Sequence, residues 1–416
     1  MKILLLNTNE IAGGAARAAY RLFNGLLRLG LAVQLVVNKK ETTCSSVIDG
    51  RGFWDKILKR WGGDFENFPL RKYKIIRGVF STSWVPTNIL RRIENLKPDI
   101  VHLHWVSNSM VKIEELEKIQ KPIVWTLHDA WPFTGGCHYP GVCDHFMRHC
   151  GACPLLGSTN ENDVTSKVYR RKNMAWKKIN MTVVAPSEWL AGLARKSALF
   201  KNKNVICIPN GIDTQEYKPI DKAVARSLLG ISTKKKVIAF GAMSATSDPR
   251  KGFGLLIESL KWVKDNIPGD NIQIVIFGSE KSSQSPDFGF ETKYFGNLHD
   301  DYSLIALYSA ADVFIAPSQE ENLSNAVMEA LSCGTPVVAF NIGGMPDMIE
   351  HKKNGYLAKP FSVEDLGSGI KWIFSDNERY EFLKKNAREK VLHEFSLQLI
   401  AEKHMNLYRK LVKAKL

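Results

Sequence analysis

The sequence predicts an α/β chain built from two doubly wound, Rossmann-like domains. Three observations carry that prediction. Short apolar runs without period-2 alternation recur along the chain, as strands of a parallel sheet covered on both faces do. Stretches with helical apolar spacing lie between them. The alternation also starts afresh near the middle of the 416 residues, a length that suits two domains of roughly 200 residues each.

In the first half the strand candidates are KILLLN, AVQLVVN, DIVHLHW, PIVWTLHD and MTVVAPS, with a helix expected from Ala15 to Leu29 and ending at Gly30. In the second half they are KKVIAFG, NIQIVIFG, ADVFIAP and TPVVAF, with helices from about Gly252, Asp300, Asn322 and Val363. The segment NVICIPNGIDTQEYKP carries the turn pair Asn210-Gly211 between Pro209 and Pro219 and marks the boundary. The expected division is an N-terminal domain over 1–203 with a Cys-rich insert at 135–155, a C-terminal domain over 204–395, and a terminal helix over 396–416.

Hydrophobic content of 44% and charged content of 24% are those of a soluble globular protein. No apolar run approaches the roughly 20 residues needed to span a bilayer. The opening MKILLLNTNE reads as a buried strand rather than a signal peptide, so a cytoplasmic protein is expected. The net charge of +15 is uneven: residues 1–195 contribute +12 and the remainder +3. Residues 51–97 mix Arg51, Lys56, Arg71 and Lys72 with Trp54, Trp61, Phe68 and Trp84. Aromatics among cations suit a membrane interface and equally a single-stranded nucleic acid, and a solvated face over tucked-in rings remains a third reading.

Four places carry candidate chemistry. Gly13-Gly14 follows the first strand and opens a helix, where a phosphate can approach the backbone closely; the segment IAGGAAR lacks the GxGxxG of a dinucleotide site. His128 lies at the carboxyl end of a strand, where ligands of open α/β sheets bind. Arg250-Lys251, in SDPRKGFG, sets two cations beside a helix start, as a diphosphate clamp would. In PSQEENLSNAVMEALSCGTPVV, Glu321 and Glu329 bracket the start of a helix, with carboxylates to accept from sugar hydroxyls and free amides to receive phosphate. Separately, Cys137, Cys143, Cys150 and Cys153 cluster near His138, His145 and His149. In a reducing compartment this favours a structural thiolate zinc site, with packed free thiols and disulfides as the alternatives.

The Glu321 segment resembles the donor-binding signature of the family 4 retaining glycosyltransferases of GT-B fold: Glu321, seven residues, Glu329, Ala330, then SCGTPVV and the pair Gly343-Gly344. Many members carry Gly-Phe-Gly where this chain has Asn322, Leu323 and Ser324, which reads as subfamily variation. The PNGID stretch, the His-Asp at 128–129 and the Lys-Gly at 251–252 have counterparts in the family, and the Cys-rich insert occurs in some exopolysaccharide-type members. The resemblance implies two domains facing a cleft, with a C-terminal helix crossing back to the first. It implies that His128 contacts the donor sugar, that Glu321 holds its hydroxyls, and that Glu329 holds the ribose diol. Backbone amides at Leu323, Ser324 and Asn325 and the Gly13-Gly14 loop would face phosphate, while Lys251 and Arg250 stabilise the departing diphosphate. Catalysis would need no metal or other cofactor.

The function so implied is hexosyl transfer from a nucleotide sugar to a glycan or lipid-linked acceptor in surface polysaccharide synthesis. Peripheral membrane contact would run through residues 51–97, and no nucleic-acid partner is expected. A nucleotide-sugar epimerase on the same fold is the alternative, and a basic nucleic-acid-binding protein a weaker one.

Overall fold

A computed structural model of the chain describes residues 1–50, 65–76, 78–241, 248–267, 271–283, 285–298 and 300–414. The 51–64 part of the basic aromatic stretch lies outside them. The chain forms two compact units, Met1–Asn210 with Ile400–Leu416, and Gly211–Leu399.

The first unit holds β1 (Lys2–Asn9), β2 (Ala32–Lys39), β3 (Val47–Asp49), β4 (Ile100–Leu103), β5 (Ile123–Thr126), β6 (Met181–Ala185) and β7 (Asn204–Cys207). They make one parallel sheet in the order β3-β2-β1-β4-β5-β6-β7. The central strands β4, β5 and β6 are buried along their whole length, which is why their sequences read as unbroken apolar runs. The division at residue 203 puts the residues of β7, not read as a strand from the sequence, in the second domain. The register of β7 with β6 makes it the last strand of the first sheet, so the turn at Asn210-Gly211 rather than residue 203 ends this unit.

The helix Gly14–Arg28 packs Leu22, Phe23 and Leu26 onto one face of the sheet, with Ile3, Leu5 and Leu35. The terminal helix Leu397–Lys413 adds Ile400, Ala401 and Tyr408 to that same core, so the C-terminus returns to the first unit as expected. The other face is covered by Trp125, Trp131, Phe133, Trp176 and Phe200 together with Cys137, Cys150 and Cys153. The Cys-rich insert is thus part of the core.

The second unit holds β8 (Lys236–Gly241), β9 (Ile272–Phe277), β10 (Glu291–Tyr294), β11 (Val313–Ala316), β12 (Val337–Phe340) and β13 (Gly355–Ala358). They form a parallel sheet in the order β10-β9-β8-β11-β12-β13. One face packs against the helices Asp301–Ala310 and Asn325–Ser332, the other against Phe253–Asn266 and Val363–Phe374. Asp312 anchors this sheet from below: its carboxylate accepts from Arg226 (2.7 Å), Lys222 (2.8 Å) and the Val237 amide (2.6 Å). Each sheet is wound on both sides, so each unit is Rossmann-like.

Candidate functional site

In both units several of the predicted residues follow the carboxyl ends of parallel strands, where open α/β sheets bind ligands. In the first unit Gly13-Gly14 follows β1 and His128 follows β5, with β4 between them in the sheet. Gly13 has φ of 104°, a conformation that favours glycine, and it caps the helix that begins at Gly14. The end of β1 is tied to the loop after β4: Asn7 Oδ1 accepts the Trp105 amide (2.9 Å), and the Thr8 hydroxyl donates to the Ser107 carbonyl (2.7 Å).

His128 lies against His104, which follows β4; His104 Nδ1 and His128 Nε2 are 3.0 Å apart and the rings stack at 5.3 Å. Enclosure of the ring, against the opposing pull of Asp129, lowers the His128 pKa to about 4, so the imidazole is neutral at pH 7. The residue as a whole is half-buried. Asp129 is buried and serves a different network. Its carboxylate accepts from the Trp105 indole (2.8 Å), the Trp131 amide (2.9 Å) and His138 Nδ1 (2.6 Å), and His138 Nε2 meets the Ser81 hydroxyl at 2.9 Å. Burial alone would raise the Asp129 pKa, but His138 and these donors more than offset it and hold the carboxyl below its ordinary range. The Ser81–His138–Asp129 chain has the order of a hydrolase triad, but all three side chains are buried, Ser81 and His138 to 1% exposure. It fastens the loop after β5 to the insert. Nothing in the spacing of Ser81, Asp129 and His138 announces it.

In the second unit three loops meet. The loop after β8 carries Pro249-Arg250-Lys251-Gly252, the loop after β11 carries Pro317 to Ser324, and the loop after β12 carries Gly343-Gly344. Gly252, at φ 71°, lies so close to Pro317 that a Cβ would stand 1.9 Å from the Pro317 carbonyl oxygen. Gly343, at φ 52°, is likewise seated on the Glu321 carbonyl, where a Cβ would stand 2.0 Å away, and the Gly344 amide donates to that oxygen at 3.1 Å. The Gln319 amide donates to the Arg250 carbonyl at 2.7 Å. These contacts bring Lys251 Nζ within 2.6 Å of Glu321 Oε2, both side chains partly exposed.

Arg250, predicted as the second cation of the clamp, is held by Asp248, which caps the Arg250 amide and grips the guanidinium at 3.1 and 2.6 Å. Ser324 caps the helix Asn325–Ser332 and receives the Val327 amide. That helix therefore opens beside Glu321, three residues beyond Asn322 where it was expected. Leu323 is buried and its side chain packs in the core of the second unit. Glu329 is 2% exposed and accepts from the Tyr308 hydroxyl at 3.0 Å.

Cys137, Cys143, Cys150 and Cys153 are all free thiols and line one small cavity in the insert with Thr134 and His145. Three of the sulfurs accept backbone N–H bonds: Cys143 from His145, Cys150 from Gly135 at 3.1 Å, and Cys153 from Leu155 and Leu156. Among the described residues no three His, Cys, Asp or Glu side chains are placed to hold a metal ion.

Comparison with known proteins agrees with this architecture. Residues 12–216 match the model of Glycosyltransferase Family 4, and residues 222–390 match that of Glycosyl transferases group 1. The chain is a glycosyltransferase of the GT-B type. Over 368 residues it is 26% identical to an uncharacterized glycosyltransferase of Methanocaldococcus jannaschii, covering 82% of this chain and 87% of that one. Over 186 residues it is 33% identical to the sulfoquinovosyl transferase of Arabidopsis thaliana, a match to 43% of this chain and 35% of the plant protein. Among solved structures, Anabaena HepE in complex with UDP-glucose superposes with a TM-score of 0.66 at 19% identity, over 99% of this chain and 100% of that one. At that identity the likeness speaks for the fold.

Proposed function

We propose that the chain is a retaining hexosyltransferase that moves a sugar from a nucleoside-diphosphate donor to a glycan or lipid-linked acceptor in surface polysaccharide synthesis. The observation that carries this reading is the Lys251–Glu321 pair beside the N-terminus of the helix Asn325–Ser332. A diphosphate can draw on Lys251 and on the amides at the helix start, while sugar hydroxyls donate to Glu321, so the donor replaces for each side chain the partner it has in the other. Lys251 and the helix dipole then stabilise charge as it gathers on the leaving diphosphate. A phosphate oxygen of that leaving group takes the acceptor's hydroxyl proton as the new glycosidic bond forms on the same face. Glu329 would receive the ribose diol, and His128 the donor sugar. The UDP-glucose complex of HepE supports a nucleotide-sugar donor. A thermal-shift panel of UDP, GDP, ADP and CMP tests the site, with Glu329→Ala as control: stabilisation of the wild type alone by one nucleotide supports it, and no shift at millimolar ligand removes it.

The membrane part of the reading rests on Phe65, Phe68, Ile75, Ile76 and Val79, which are exposed, Phe68 and Ile76 by 60% and 66%, among Arg71, Lys72 and Lys74. Contact of this kind would be peripheral, at the cytoplasmic face; among the described residues no helix is long and apolar enough to cross a membrane. Sedimentation with anionic but not neutral vesicles, lost on replacing Phe68 and Ile76 by Ser, is the expected result.

Zinc bound by the four cysteines belongs to the same proposal. Burial raises the pKa of Cys143, Cys150 and Cys153 and outweighs the backbone N–H bonds to their sulfurs, so the thiolates would depend on the ion itself, which would draw the sulfurs around the shared cavity together. Metal analysis of the purified protein should find about one equivalent of zinc. Four freely titrating thiols in metal-free native protein would refute it.

A further inference from the structure

We propose that His104 is a positioning residue for His128, holding it in the tautomer that carries its proton on Nδ1, so that the ring edge turned from His104 presents an N–H donor. The inference rests on the reading of His128 as a sugar contact and specifies how that contact is made.

His104 Nδ1 and His128 Nε2, 3.0 Å apart, share one hydrogen bond, so one ring supplies the proton and the other the lone pair. Both rings are neutral, because burial lowers their pKa values. The other nitrogen of His104 decides between the two arrangements. His104 is 3% exposed, and among the described residues its Nε2 has no hydrogen-bond partner. Were the shared proton on His128, His104 would have to carry its own proton on Nε2, as a buried donor without an acceptor. With the shared proton on His104 Nδ1, Nε2 holds only an unused lone pair, and an enclosed unpaired donor is the rarer of the two defects. His104 therefore donates, His128 Nε2 accepts, and the His128 proton sits on Nδ1.

The arrangement is rigid from behind. His104 packs against His102 with ring centroids 4.3 Å apart. His102 is fixed at both nitrogens, Nδ1 at 2.6 Å from the Tyr408 hydroxyl and Nε2 at 2.8 Å from the Thr126 hydroxyl. Tyr408 belongs to the terminal helix, so the helix that closes the first core also backs the histidine row. A neutral imidazole held this way can donate to a sugar hydroxyl without contributing a charge.

The test is long-range ¹H–¹⁵N correlation NMR of the ¹⁵N-histidine-labelled full chain at pH 7.5, with His128 signals assigned from the His128→Gln variant. The expected wild-type pattern is protonated Nδ1 and bare Nε2. His104→Asn offers an amide N–H where Nδ1 stood and should preserve both the pattern and transfer. His104→Leu should move His128 toward the Nε2–H form and lower kcat on the order of tenfold to a hundredfold with little change in acceptor KM. An Nε2–H pattern in the wild type overturns the proposal, as does an unchanged pattern in folded His104→Leu. Should His104→Leu not fold, the wild-type and His104→Asn spectra decide. Expected spectra with full activity in His128→Gln would uphold the positioning and refute His128 as a sugar contact.

Discussion

Gly252→Ala is the sharpest test of how the second unit assembles its site. At φ 71° an alanine sits in the left-handed region, which costs about 1–2 kcal/mol. Its Cβ would also stand 1.9 Å from the Pro317 carbonyl oxygen, against a floor of 3.0 Å for real Cβ contacts. The atom it meets is main chain, so no side chain can swing aside. The two loops must part by about 1 Å or more, and the Gln319 amide bond to the Arg250 carbonyl breaks, for about 1 kcal/mol more. A loss of about 2–3 kcal/mol corresponds to a fall in melting temperature of roughly 4–12 °C for a unit of this size. The functional effect should be larger in proportion. Lys251 adjoins the substituted residue and Glu321 lies on the other loop, and a misplacement of about 1 Å can reduce turnover about a hundredfold. The assay is release of nucleoside diphosphate from the sugar nucleotide whose base stabilises the wild type. Gly192→Ala is the control: it lies within the helix Glu188–Lys196 with nothing within 4 Å of a new Cβ, and should keep activity while gaining about 0.5–1 kcal/mol. Transfer within threefold of wild type in Gly252→Ala, at an unchanged melting temperature, would refute the reasoning.

Removing one partner of the Lys251–Glu321 pair should destabilise by no more than about 1 kcal/mol, since both side chains are partly exposed. The double variant Lys251→Met/Glu321→Gln should melt above either single variant and still transfer no sugar; additive losses in melting temperature would show that the two do not interact. Glu329→Ala should cost about 1–3 kcal/mol, because the buried Tyr308 hydroxyl loses its acceptor, and Tyr308→Phe on that background should recover part of it in urea melts. The first unit should be sensitive to mild acid. Burial holds His102, His104, His128 and His404 below the ordinary imidazole pKa, His128 and His404 at about 4. Between about pH 6.5 and 4 the unfolded chain takes up protons the native one refuses, so this stability is intact above 6.5 and falls as the pH drops, by at most about 1.4 kcal/mol per unit for each histidine. Urea unfolding followed by fluorescence of the buried Trp125 and Trp176 should show the decline; a flat profile from pH 7 to 5 would contradict it.

The four strands absent from the sequence reading as strands of their own sheets are β3, β7, β10 and β13, which are also the four edge strands of the two sheets. VID, NVIC, ETKY and GYLA are three or four residues long and mostly half-buried. An edge strand has one neighbour, is kept short, and needs no unbroken apolar run, so it leaves little pattern to read. The interior strands were legible for the opposite reason: burial on both faces forces Val, Ile and Leu into successive positions.

The site was legible where glycine or a helix start leaves a local mark, and illegible where the contact is distant in sequence. Gly252 and Gly343 are required by backbone approach, and Ser324 by the cap it makes. Nothing local pairs Lys251 with Glu321 across 70 positions. His128 and Asp129 show how a correct motif can still conceal its working. Read as a pair, they suggest one shared task. Yet they follow β5 as consecutive residues of a chain leaving a strand, where neighbouring side chains turn to different sides. His128 goes to His104 and Asp129 to Trp105, Trp131 and His138. One residue is held neutral and is half-buried. The other stays ionised and buried, and fixes the loop on which the first is mounted. The adjacency therefore serves placement: the carboxylate that fastens the loop is one residue from the imidazole whose position the loop must define.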